Sequence, residues 1–213
     1  FFYSDHGGPF PRHKRAIYQS GTKVPFMIKM PNSKYAKTRD NRLLSFIDLA
    51  ATVLDIANIN IPDYMQGESI LDSLINERKY LVSASDRFDE QIDRIRSIQS
   101  KKYKLIVNFD TSKPHALPVS YRENMPMMQR MKEMYVSGNL NPVQQLWFET
   151  PKSELEFYDL QLDPYEINNL IEIPKYKSLI LEYKKQLENW MKKTNDMGRI
   201  AEQDIVKYSI SLQ

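Results

Sequence analysis

Asp5 and His6 stand side by side near the start of the chain. A carboxylate and a neutral imidazole together can serve one divalent cation, through hard oxygens and a ring nitrogen. Gly7 and Gly8 follow directly and let the backbone turn sharply there. Read alone, these residues also spell an ordinary turn after a strand. Lys14 comes nine residues after Asp5, inside the run Arg12-His13-Lys14-Arg15. A returning loop that brought its ammonium beside a bound cation would make a positive clamp for an oxyanion. The plainer reading is a solvated basic cluster. A second charged stretch, Asp86, Arg87, Asp89 and Glu90, could reach a cleft rim and read a sugar through Arg87, or be a solvated loop with local ion pairs. His115 lies between Pro114 and Pro118 and reads as an ordinary loop residue, while Trp147, Phe148 and Trp190 read as packing.

The elements that must position these groups follow from pattern. The aromatic run 1–3, bounded by Asp5 to Gly8, suits a strand entering a loop. In open α/β sheets, ligands collect where strands end. Residues 7–21 read as a loop and 24–30 as a strand closed by Pro31. A helix is expected from Ser45, with Asp48 three residues on as in a capping box, and its apolar residues predict burial on most sides. Asn58 and Pro62 end it. Residues 66–69 read as a turn and 70–75 as a short helix. Strands are expected at 80–84, 94–100, 103–109 and 155–158, the middle two as a hairpin joined at Lys101-Lys102. The Met-rich stretch 125–134 reads as a helix that runs through Tyr135 and closes at Gly138, its methionines filling core. A last helix at 176–193 puts Leu179, Ile180, Tyr183, Leu187, Trp190 and Met191 on one face, to pack on the sheet. The tail after Gly198 carries no decisive pattern.

Composition sets the bounds. The chain has 213 residues, 41% of them hydrophobic, and a formal net charge of only +3. That balance is not the footprint of a nucleic-acid binder. There are no cysteines, so neither a disulfide framework nor a thiolate zinc site is open to it. No apolar run approaches the length of a membrane span. The chain opens on strand-like residues with no initiator Met, and we expect it to be a fragment whose upstream part is missing.

The motifs together resemble the sulfatases of the alkaline-phosphatase-like superfamily. Residues 4–11, then Lys14 to Tyr18 and Gly21 to Pro25, are similar to the second metal-binding motif of that family, and the Pro9-Phe10-Pro11 spelling is similar to its heparan N-sulfatase branch. Residues 45–55 resemble the family helix written Asp-Leu-x-Pro-Thr, with Ala51 in place of Pro. Gln66-Gly67-Glu68-Ser69, residues 139–148, and the stretch from Leu155 to Leu170 resemble further family segments in the same order. The resemblance implies an α/β fold: residues 1–76 complete the large catalytic sheet domain, and 77–213 form a smaller antiparallel sheet packed by the C-terminal helix. It implies Asp5 and His6 as calcium ligands, Lys14 as the group that meets the sulfate, and a sulfated carbohydrate as substrate. The family nucleophile is a formylglycine made in a Cys/Ser-x-Pro/Ala-x-Arg motif, which has no counterpart here, so the fragment alone is expected to be inactive. An extracytoplasmic location is typical of the family. A phosphoric or phosphonic monoester hydrolase of the same superfamily, and a non-catalytic binding module, are the alternative readings.

Overall fold

The computed structural model describes residues 1–31, 36–71 and 78–211, with side chains through residue 207. The fold is α/β. The chain divides into two compact units: one of residues 1–28, 82–98 and 102–213, the other of 29–81 and 99–101.

The first unit is built on a four-stranded antiparallel sheet in the order β3 (Leu81–Phe88), β4 (Gln91–Gln99), β5 (Tyr103–Asn108), β6 (Leu155–Asp159). Tyr103 pairs with Asp159, Lys104 with Tyr158, Leu105 with Phe157, and Ile106 with Glu156. Every residue of β5 after Tyr103 is buried, so both faces of the strand are covered. Side chains alternate between faces with a period of two. Leu105 and Phe157 therefore point one way, and Lys104, Ile106, Glu156 and Tyr158 point the other.

The first face is covered by α6 (Lys177–Lys193), entered through a 3-10 turn at Pro174–Tyr176. Its buried residues are Ile180, Tyr183, Leu187 and Met191, which lie on one helical stripe. Phe157 meets Tyr183 edge-on at 5.6 Å and stacks with Tyr103 at 5.5 Å. The second face carries the cluster of Ile95, Ile106 and Tyr158, closed over by Ala16, Ile17 and Tyr18.

Around this core lie the short helices α3 (Ser120–Glu123) and α5 (Pro142–Gln145), the longer α4 (Pro126–Val136), and a small satellite cluster. Met128 is fully buried with Ala116, Leu140, Trp147 and Phe148, and Met125, Met131 and Met134 pack against them. Four of the five methionines of the stretch thus fill core as expected, while Met127 is exposed. The tail after Gly198 forms α7 (Glu202–Ser211). The start of the chain makes a two-stranded antiparallel ribbon, β1 (Phe2–Tyr3) with β2 (Phe26–Met27). The strand expected over 24–30 is thus confined to two residues, the length over which β1 offers a partner.

The second unit is organised by α2 (Ile47–Ile56). Its anchor is Asp48, 1% exposed. The Asp48 carboxylate accepts from Ser45 N at 2.8 Å, Glu68 N at 3.1 Å, and Arg78 Nη1 and Nη2 at 2.6 and 2.8 Å. The expected capping pair is therefore half present: Asp48 reaches back to Ser45, but no side chain caps the helix start. The expectation of burial on most sides fails. Only Asp48, Ala51 and Thr52 are buried, while Phe46, Ile47, Val53 and Ile56 are exposed. The covered face closes through polar bonds, with Thr52 Oγ1 donating to Asp48 O and accepting from Ile70 N. The short helix expected over 70–75 falls largely outside the described residues.

Candidate functional site

Asp5 and His6 lie just beyond β1, where Ser4 N donates to Pro25 O at 3.3 Å. The imidazole is 38% exposed and the carboxylate 79%. His6 Nδ1 sits 2.7 Å from Gly7 O. A carbonyl only accepts, so Nδ1 carries a proton, and in the neutral tautomer Nε2 is the free nitrogen. That leaves the Nε2 lone pair facing Asp5 Oδ2 at 3.3 Å. Two acceptors this close call for a cation or a proton between them. The donor set thus fits a divalent metal, with the Gly7 carbonyl fixing the ring as outer-shell partners of metal-ligating histidines do. Among the described residues no group of three or more His, Asp or Glu side chains could hold a metal. Asp5 and His6 supply two ligands and no more.

Two close backbone approaches shape this corner. A Cβ on Gly7 would lie 1.9 Å from Ser20 O, and one on Gly21 would lie 2.1 Å from Ala16 O. Gly7 N donates to Gly21 O at 3.0 Å, and Lys14 N donates to Gly8 O at 3.0 Å. The residues from Asp5 to Thr22 therefore fold back on themselves, ending in the single turn α1 (Gln19–Thr22). Lys14 is tied by its own backbone to the turn that follows Asp5 and His6.

The basic run is not a uniform solvated cluster. Arg12 donates to Tyr165 O at 2.5 Å and to Glu166 O, and its guanidinium lies 3.6 Å from the Tyr18 ring centre. Arg15 pairs with Asp89. His13 meets the Phe10 ring at 5.5 Å. Among the described residues Lys14 Nζ meets no carboxylate; its recorded neighbour is the Tyr121 ring, 5.9 Å away. Of the three permanent cations in the run, only Arg15 has a carboxylate partner among the described residues; Arg12 rests on two carbonyls and a ring, and Lys14 faces a ring alone.

The charged stretch expected as a loop begins within β3, which holds Asp86 and Arg87, and only Asp89 and Glu90 form the turn after it; the stretch is engaged within the chain. Arg87 donates to Glu202 Oε2 at 2.8 Å and pairs with its other oxygen. Asp86 accepts from Arg96 at 2.8 Å, and Glu90 accepts from Ser120 N at 2.7 Å. The structure does not bring Arg87 together with Asp5, His6 or Lys14 through any recorded contact.

Beneath the Lys14 loop lies a buried polar network that the pattern of the chain does not announce as a site. Glu156 is 3% exposed. Its Oε2 accepts from Tyr18 Oη and Tyr158 Oη, each at 2.7 Å, and its Oε1 accepts from Asn108 Nδ2 at 2.6 Å. His115 Nε2 stands 3.4 Å from Oε1 and 3.2 Å from Tyr18 Oη, with its ring stacked on Trp147 at 5.9 Å. His115 is thus a network member, not an ordinary loop residue. Burial alone would raise the Glu156 carboxyl; the bonds from His115, Tyr158 and Tyr18 outweigh it and hold the group at about 2. Burial and the Glu156 charge push the Tyr18 and Tyr158 hydroxyls well above their ordinary range.

A second buried pair adjoins it. Lys104, 0% exposed, donates to Ile17 O at 2.5 Å and sits 3.1 Å from Glu166 Oε1. Glu166 Oε2 accepts from Gln19 N at 2.6 Å. Burial pulls the Lys104 ammonium below its ordinary value, against the opposing pull of Glu166. The signal for both clusters was in the sequence: Lys104 and Glu156 interrupt runs that otherwise read as buried strand. A charge at such a position is almost never buried without a partner.

Residues 8–147 match the family described as N-sulphoglucosamine sulphohydrolase, C-terminal. An ulvan-active sulfatase of Formosa agariphila is 40% identical over 97% of this chain and 35% of its own length. Human N-sulphoglucosamine sulphohydrolase is 23% identical over 100% of this chain and 45% of its own length. A solved 2-O GAG sulfatase superposes with a TM-score of 0.59 at 21% identity, over 86% of this chain and 32% of that one. The chain spans 32% to 45% of the length of these relatives.

Proposed function

This chain belongs to the sulfatases, in the family of the N-sulphoglucosamine sulphohydrolase C-terminal region, and from that premise we propose that it is the C-terminal part of a hydrolase of sulfuric esters or sulfamates on a sulfated sugar. Asp5 and His6 are its contribution to a calcium site, and Lys14 is the group that meets the sulfate. The single observation that carries this reading is the Lys14 ammonium, without a carboxylate partner among the described residues and held by its own backbone to the turn after two facing acceptors.

Bound calcium would polarise the sulfate oxygens as a Lewis acid. The residues of this chain do the rest of what is assigned here. Asp5 contributes a carboxylate oxygen. His6 contributes Nε2, its tautomer set by the Gly7 carbonyl. Lys14 neutralises negative charge that develops near the leaving oxygen or nitrogen. The nucleophile would be a formylglycine, whose Cys/Ser-x-Pro/Ala-x-Arg motif this sequence lacks, so the chain by itself should release no sulfate. An extracytoplasmic compartment goes with the same reading. Arg87 would have to leave Glu202 before it could touch a sugar.

The test is sulfate release by the full gene product. Lys14→Ala should lower kcat/KM by about 10²–10³-fold, the effect of removing one preorganised donor to a developing oxyanion. Unchanged turnover in that variant would refute the assignment.

A further inference from the structure

The segment from Arg12 to Gln19 carries Lys14 but makes little regular secondary structure of its own before α1. A backbone in that condition must satisfy its polar groups elsewhere or lose about 1–3 kcal/mol for each one buried without a partner. Part of it is satisfied within the loop, as Ala16 N is by His13 O and Lys14 N by Gly8 O, and other partners come from one place across the sheet. On the side of β5 and β6 away from α6, three charged side chains are turned toward the segment. Lys104 takes the carbonyl of Ile17, Glu166 takes the amide of Gln19, and Glu156 takes the hydroxyl of Tyr18. Three consecutive residues, 17, 18 and 19, are each held by a different buried charge. Arg12 closes the other end by donating to the carbonyls of Tyr165 and Glu166. Lys14 lies between these two clamps.

We propose that Glu156 and Glu166 are positioning residues for Lys14 and for the Asp5–His6 pair. They reach neither metal nor sulfate. Through Tyr18, Gln19 and Arg12 they fix the loop whose remaining bonds, Gly7 N to Gly21 O and Lys14 N to Gly8 O, set where the three site residues stand. The two carboxylates are themselves engaged, Glu166 with Lys104 and Glu156 with His115, and among the described residues neither pairs with Lys14. Oxyanion catalysis depends on such fixation, because a donor displaced by 1 Å can lose about 10²-fold in rate.

The tether stands on the geometry alone, while the word positioning rests on the proposed role of Lys14. The test therefore has two readouts on the full gene product. In the first, amide exchange is followed over residues 5–21 and, as control, over α6. Tyr18→Phe removes one hydroxyl from Glu156 and leaves its other partners in place; it should speed exchange at Gly7, Lys14 and Gln19 by roughly threefold to tenfold, the equivalent of one net hydrogen bond. Glu156→Gln should do more, and α6 should stay within about twofold of wild type, since its local protection does not pass through Glu156. In the second, sulfate release by Tyr18→Phe and Glu156→Gln should fall mainly in kcat, and Tyr18→Phe should fall less than Glu156→Gln. Exchange in α6 that rises by the same factor as the loop would overturn the proposal, because the two residues would then act on global stability. So would a loosened loop with unchanged kcat. If instead Lys14→Ala leaves turnover intact, the sulfatase assignment of Lys14 fails while the tether survives.

Discussion

Strands β5 and β6 hold a partner on each face, and they do so by opposite means. On one face, Phe157 meets Tyr183 of α6 edge-on, and the helix turns Ile180, Leu187 and Met191 inward beside it. On the other, Lys104 and Glu156 meet the loop from Arg12 to Gln19 through charge and hydrogen bonds, with Ile95 and Ile106 between them. The difference follows from what each partner brings. A helix has already satisfied its backbone, so it asks only for apolar area. A loop arrives with free carbonyls and amides, so the face that binds it must supply donors and acceptors. Regular structure is held by shape and irregular structure by chemistry, and the second arrangement is the one that can aim a catalytic side chain.

The comparison can be broken at several points. The largest effect should come from the helix face. Phe157→Ala removes a ring that touches Tyr103, Tyr176 and Tyr183 together, and should cost about 3–5 kcal/mol in a urea titration. The polar face should show itself in acid. The Glu156 carboxyl is held at about 2 against an ordinary 4.5, so on acidification the unfolded chain takes up this proton first. Its stabilising contribution, on the order of 2–4 kcal/mol, is complete above about 4.5 and is lost as pH falls toward about 2. Urea midpoints measured against pH should fall across that window in the wild type and fall less in Glu156→Gln. A smaller effect belongs to the turn itself. Gly7→Ala must displace the Ser20 carbonyl, and should cost about 1–3 kcal/mol with a larger proportional loss of calcium affinity. Smallest of all is Lys14→Ala, whose ammonium bonds to nothing that holds the fold; stability should stay within about 0.5 kcal/mol while turnover collapses.

Period and punctuation made much of the fold legible. The hairpin of β4 and β5, the strand at 155–159, the helix at 177–193 and the Met-rich helix all stand close to where the sequence puts them. Each depends on local rules of alternation or helical repeat. What was illegible depends on distance along the chain. α2 spells a helix buried on most sides, but its covering is a polar cluster built from Ser45, Glu68, Ile70 and Arg78, and no periodicity announces that. The position of Asp5, His6 and Lys14 was legible as spacing. Their restraint was not, because the bond from Tyr18 to Glu156 joins residues 138 apart in sequence. His115 was misread for the same reason: two flanking prolines describe a loop but say nothing of the carboxylate across from it.

The ribbon of β1 and β2 has a consequence for anyone who handles this polypeptide. Phe2 and Met27 are 66% and 58% exposed, on two strands that pair only with each other among the described residues, and Phe1 just before them is 50% exposed. Such an edge offers unpaired backbone groups beside greasy side chains, which is the template for intermolecular strand addition. A preparation of these 213 residues should therefore self-associate as it is concentrated, and light scattering should report it. Phe2→Lys places a charge on the ribbon and should restore solubility without touching the residues that do chemistry.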